Sequence, residues 1–187
     1  MSAIGPNNAA TFASSALVGV VAITNPTNAQ LSDNSYATAV LVGGQQTQYL
    51  KATNFALAVP VHSTIDGITV EIERNTSLLA SVSDTTVKLY LPDNSLSATN
   101  QSAGAAWSTS DAYATFGGAS DTWGQTLTPM QVNDLNFGVV ISATAALAAT
   151  ASIDHVRMTV NYTPLSIPGG MMLGGRLAAG NGVSVNG

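Results

Sequence analysis

An all-β fold is predicted: an antiparallel β-sandwich, jelly-roll-like, with extended N- and C-terminal arms. Three observations predict it. Apolar and polar residues alternate along several segments, the period of a half-buried strand. Turn-forming groups punctuate these segments: Asn25-Pro26, Gly43-Gly44, Asp66-Gly67, Pro92-Asp93-Asn94, Gly117-Gly118 and Asn133-Asp134. No long segment carries a helical period. Many short strands with such punctuation are the pattern of a double-sheet jelly roll.

In chain order, residues 1–16, beginning "MSAIGPNNAATF", read as an N-terminal arm. Residues 12–23, "FASSALVGVVAI", imitate the apolar region of a secretory signal, but no Lys or Arg precedes them. The run is too short to span a bilayer, so a first strand over 17–23 is expected. Weaker strands are expected at 36–42, 47–51 and 54–58. "ITVEIER", 68–74, turns Ile68, Val70 and Ile72 one way and Thr69, Glu71 and Glu73 the other. "TTVKLYL", 85–91, sets Val87, Leu89 and Leu91 against Lys88.

A short strand over 112–116 lies inside "WSTSDAYATFGGASDTWG", residues 107–124. There Ser110-Asp111 and Ser120-Asp121 start turns, and Gly117-Gly118 closes a hairpin. "TPMQVND", 128–134, is suited to one helical turn, with Thr128 as N-cap and Pro129 at the first position. "LNFGVVISA", 135–143, and "DHVRMTVNY", 154–162, alternate again; the second sets Val156, Met158, Val160 and Tyr162 against His155, Arg157, Thr159 and Asn161. The sandwich domain is therefore placed at 17–163. Residues 164–187 form a Gly-rich C-terminal arm, in which Met171, Met172 and Leu173 are an apolar anchor for docking on a partner.

Composition narrows the function. Only 8% of the 187 residues are charged, with ten acids against five bases and a net charge of −5. A soluble domain ordinarily carries about 25%. Low charge and small polar residues suit a chain that buries its surface in an assembly or works outside a cell. Lys51 is the first base, and no basic cluster exists, which argues against nucleic acid. No cysteine is present, so disulfides and thiolate metal sites are excluded. No membrane association and no cofactor are expected.

The chemistry-bearing residues read mostly as structure. A Ser-His-Asp triad is disfavoured: Asp154 and His155 are adjacent on a strand, where neighbours face opposite sides, and no Gly-x-Ser-x-Gly elbow occurs. His155 joins Glu71, Glu73, Lys88 and Arg157 on solvated faces, a cross-strand charge ladder if their strands are neighbours. Glu71 and Glu73 stand about 7 Å apart, within glycosidase range, but on a flat strand with bases near. His62 sits in a turn. Two histidines without cysteine make a poor zinc site. Asp84, Asp93, Asp111, Asp121 and Asp134 lie near turns and match no EF-hand, so turn formation is their default role over loop calcium. "GGRLAAGNG" lacks the lysine and helix of a phosphate loop. Trp107, Tyr113 and Trp123, with Asp111 and Asp121, have the chemistry of a glycan site; the competing role is to plug one end of the core. Exposure of either tryptophan decides between them.

Several segments occur in an order that resembles a β-sandwich domain of tailed-bacteriophage structural proteins: "TNPTNAQLSDNSYATAVL", "QYLKATNFALAVPVHSTIDGITVEIER", "TTVKLYL", "WSTSDAYATFGGASDTWGQTLTPMQVNDLNFGVVISA" and "ASIDHVRMTVNY". The resemblance covers roughly residues 18 to 163. Such sequences often carry Trp near the first strand, where this one has Ile23, a difference of packing. The resemblance implies a virion component without catalysis, assembled in the host bacterial cytoplasm and with no catalytic residue to carry over. Its expected role is to decorate or cement the capsid as a trimer, with the major capsid protein or other virion proteins as partners. A tail fibre, spike or receptor-binding module recognising surface glycans is the alternative.

Overall fold

The computed structural model describes residues 1–165. Two antiparallel sheets pack face to face. Their elements are β1 (Ser2–Asn8), β2 (Thr11–Ser15), a 3-10 turn (Pro26–Ala29), β3 (Ala37–Leu41), β4 (Tyr49–Thr53), β5 (Thr64–Thr76), β6 (Val82–Tyr90), β7 (Ala112–Gly117), α1 (Pro129–Val132), β8 (Gly138–Ala145) and β9 (Ala149–Thr163). The first sheet runs β1-β9-β5-β7, with β3 also paired to β9; the second runs β2-β4-β8-β6. From β5 onward the chain changes sheet at every connection, which gives the jelly-roll-like wrap. Ile68, Val70 and Ile72 of β5 and Val156, Met158 and Val160 of β9 face the core from the first sheet, and Leu50, Val87, Leu89, Val139 and Ile141 meet them from the second. The alternation in the sequence is this division of faces.

Three expectations are corrected. Residues 1–16 are not an arm: β1 pairs with the second half of β9, and β2 pairs with β4. Small and polar residues hide these strands, because an edge strand needs no strong apolar face to be held by its ladder. Residues 17–23 are not a strand. Gly19 has φ +61, and a Cβ there would lie 2.0 Å from the Thr47 carbonyl oxygen, so the chain bends tightly along residues 46–47. Its apolar side chains are used as a loop: Ile23 is buried, while Val18 packs on Tyr49, Tyr90 and Val140. Residues 54–58 are not a strand either. Asn54 and Ala56 have φ of 60 and 48, which interrupts extended backbone, although Phe55, Leu57 and Val59 still point into the core.

The helical turn forms as expected. Thr128 Oγ1 accepts from the Gln131 N–H at 3.3 Å, and the Gln131 side chain accepts from the Thr128 N–H at 3.0 Å, a reciprocal capping box. Met171, Met172, Leu173 and the rest of 166–187 lie outside the described residues. No helix among the described residues is long and apolar enough to cross a membrane.

Candidate functional site

The densest group of chemistry-bearing side chains lies on the outer face of the first sheet, where β9, β5 and β7 run side by side. Register builds it in two rows. His155, Glu73 and Tyr113 are aligned across the three strands, and Arg157, Glu71 and Thr115 form the next row. Arg157 grips Glu71 with two hydrogen bonds, Nε to Oε2 at 2.9 Å and Nη2 to Oε1 at 3.0 Å. This is the expected ladder, without Lys88. That residue lies in the second sheet and donates to the Ala98 carbonyl at 3.3 Å.

Tyr113 joins the rows. Its hydroxyl meets His155 Nδ1 at 2.7 Å, and its ring lies 4.2 Å from the Arg157 guanidinium carbon, a cation–π contact. The span from Tyr113 to His155 passes over Glu73, whose Oε2 is buried and unpartnered.

A β-bulge changes the reading of Asp154. Glu73 is opposite His155, but Arg74 is opposite Ile153, so Asp154 is the extra residue. Strict alternation would put Asp154 and His155 on opposite sides. The bulge instead brings both against residues 30–36: Asp154 Oδ2 accepts from the Asn34 N–H at 3.1 Å, and Gln30 forms an isolated bridge with His155. The segment is fastened again where the Tyr36 hydroxyl donates to Asp111 Oδ2 at 2.7 Å.

Burial and charge shift these groups in opposite directions. Burial pushes the Asp154 carboxyl above its ordinary range, with Glu73 and Asp111 adding to the effect against backbone hydrogen bonds from residues 33 and 34. Burial also pulls His155 below the usual imidazole range, helped by Arg157. The hydrogen bond to Asp111 drives the Tyr36 phenol up to about 12. Tyr113 is raised chiefly by burial. At neutral pH the site holds a neutral imidazole and two neutral phenols.

The remaining site residues go elsewhere. Trp107 and Trp123 are 2% and 0% exposed, and their indole N–H groups donate to Asp84 Oδ1 at 3.0 Å and the Ile68 carbonyl at 2.8 Å. Neither offers a ring face to a sugar, so of the three aromatics Tyr113, at 37% exposure, alone reaches the surface. The 107–124 segment plugs the sandwich. Asp84 is not a turn residue: it is buried and ion-paired with Arg74 across the two sheets. Asp93, Asp121 and Asp134 do serve turns, accepting from the N–H of Ser95, Trp123 and Asn136 at 3.0, 2.7 and 2.7 Å. His62 occupies a turn with φ 68. Among the described residues no three His, Cys, Asp or Glu side chains are grouped to hold a metal.

Sequence reasoning missed Arg74 and Tyr36. Arg74 had a signal, because it shares parity with Ile68, Val70 and Ile72 and therefore had to point inward. Tyr36 had none, since its partner Asp111 is distant in sequence.

No family model and no curated protein matches this chain. Among solved structures it is similar in fold to one described as BiXyn10A CBM1 APO, at a TM-score of 0.44 and 8% identity, over 84% of this chain and 96% of that chain. A likeness of that size bears on neither ligand nor activity.

Proposed function

We propose that this chain is a non-enzymatic structural protein of a bacteriophage virion, one that decorates or cements the capsid. The observation that carries the reading is one apolar end of the sandwich. Val40, Val42, Leu78, Leu79 and Leu147 are 43% to 74% exposed. The end of β3 and the connections β3–β4, β5–β6 and β8–β9, tied to one another, present them. The Ser81 hydroxyl donates to the Leu147 carbonyl at 2.9 Å, the Ser77 N–H donates to the Thr150 carbonyl at 3.0 Å, and Thr150 is the register partner of Val40. Gly43, beside Val42, packs on Ala146. Five aliphatic side chains gathered at one end of a weakly charged domain suit a surface that a neighbour covers. The ordered resemblance to tailed-phage sandwich domains supplies the setting.

The test is protein mass spectrometry and electron imaging of purified particles, with wild-type chain and with Leu79→Ser/Leu147→Ser. The wild-type chain is expected on the capsid shell, and the double variant at about a tenth of that occupancy or less, the loss expected for about 1.4 kcal/mol of contact. Absence of the wild-type chain from the particles overturns the reading. Full occupancy by the double variant removes the apolar end as its basis.

A further inference from the structure

Residues 30–36 cross the outer face of the first sheet and are fastened there in part through titratable partners. The Asn34 N–H rests on Asp154 and the Tyr36 hydroxyl on Asp111, while the backbone of Gln30 forms an isolated β-bridge with that of His155. Beneath them three polar atoms are buried without partners: Asp154 Oδ1, Glu73 Oε2 and His155 Nε2. The imidazole is thus closed in with one nitrogen on the Tyr113 hydroxyl and the other facing no partner. A neutral ring tolerates this arrangement. An imidazolium needs an acceptor at both nitrogens, and one of them has none. Water is the available remedy, and residues 30–36 stand in its way.

We propose that residues 30–36 are a pH-sensitive latch, closed over the outer face while His155 is neutral and released when it is protonated. The titratable and charged groups of the site come from every element around His155. Asp154 and Arg157 lie on β9, Glu71 and Glu73 on β5, Tyr113 on β7 with Asp111 just before it, and Asp33 and Tyr36 within the latch. The carboxylates favour the cation; burial and Arg157 oppose it, and burial is the largest influence.

The sign of the pH effect follows. The closed state holds His155 below the ordinary imidazole value of 6.5, so its contribution is intact above pH 6.5 and is lost as pH falls through the lower, closed-state value. Asp154 acts in the other direction. Its raised value means that the closed state gains as pH falls toward 3.8. Release therefore belongs to the mildly acidic window below pH 6.5 and is opposed at stronger acidity.

Amide hydrogen exchange on the full chain tests this, read between about pH 7.5 and about pH 5, where an imidazole changes charge, and corrected for intrinsic exchange. Protection at Asn34 and its neighbours in 30–36 is expected to fall about tenfold for each unit by which closure lowers the imidazole, while amides in β5 and β9 hold. His155→Gln keeps a neutral hydrogen-bonding side chain and is expected to flatten the profile. Protection that ignores pH in the wild type, or falls equally in His155→Gln, overturns the proposal. Should that variant fail to fold, the ring signals of His155 in the wild type decide. A midpoint below 6.5 shared with the Asn34 amide supports the latch, and a midpoint at or above 6.5, or one the amide does not follow, sinks it.

Discussion

Glu73 and Arg74 are neighbours on β5 that point to opposite faces, and their surroundings differ in kind. Inside, Arg74 pairs with Asp84 from the other sheet, and its guanidinium carbon lies 5.0 Å from the Trp107 ring and 5.3 Å from that of Phe116. Trp107 Nε1–H completes the group by donating to the same Asp84 oxygen. Burial pushes Asp84 up and Arg74 down, and each holds the other charged. Outside, Glu73 lies under Tyr113 and beside His155, with polar atoms left unpartnered. The inner group holds opposite charges together across the two sheets, although Asp84 Oδ2 is itself buried without a partner, so it fixes how the sheets sit. The outer group is incompletely matched and covered by one short segment, so its state can change with the solution. Similar residue types give a structural pillar on one face and a responsive cluster on the other, and what separates them is a direct ion pair between the sheets inside and a short covering segment outside.

The pillar carries the largest expected effect. Asp84→Ala leaves the Arg74 charge buried without a partner, which costs about 3–5 kcal/mol. Replacing both groups with apolar residues, as in Arg74→Met/Asp84→Leu, removes the charges together and is expected to cost far less. Denaturant titration of the two variants gives the comparison. A single variant as mild as the double one would show that the Arg74–Asp84 pair is no pillar.

The two faces also differ in how far the sequence revealed them. Strict alternation in "ITVEIER" and "HVRMTVNY" gives the core faces of β5 and β9 and puts Glu71 and Arg157 on solvated faces, while the strand register decides that they pair. Alternation fails wherever a bulge inserts a residue. In β6 the register shifts between Asp84 and Thr86, so counting back from Val87 puts Asp84 on the wrong face. In β9 the extra residue is Asp154, and the same counting separates it from the His155 environment. Both failures fall on groups that matter, because a bulge re-aims a side chain and leaves no mark on apolar periodicity. The first two strands were hidden for a different reason. "SAIGPNN" and "TFASS" have little apolar content to alternate, and they are held by backbone pairing that sequence does not display.

Gly117 separates the faces at the end of β7 and carries the next effect. Its φ is +70, and a Cβ would lie 2.3 Å from the Ile68 carbonyl oxygen and 2.4 Å from Trp123 Nε1. The indole that seals the sandwich therefore needs glycine beneath it. Gly117→Ala is expected to cost about 1–2 kcal/mol from the left-handed backbone alone, with displacement of Trp123 adding to it. Thermal unfolding measures the loss, and near-ultraviolet circular dichroism reports whether the indole has moved. A variant with wild-type stability and an unchanged tryptophan signal would break the link between this turn and the plug.

The smallest effect belongs to the outer row. Arg157 and Glu71 meet with good two-point geometry, but their side chains are 29% and 24% exposed, so water already screens them. Glu71→Gln keeps the shape and removes the charge, and it is expected to cost roughly 0.2–1 kcal/mol, less at high salt. Arg157 would then be free to act more strongly on the ring of Tyr113 and on His155, since its charge is no longer offset by Glu71. The variant should therefore lower the His155 titration midpoint further while barely changing global stability, and the two readings separate a responsive face from a structural one. A loss as large as that of Asp84→Ala would mean that the outer row is a second pillar.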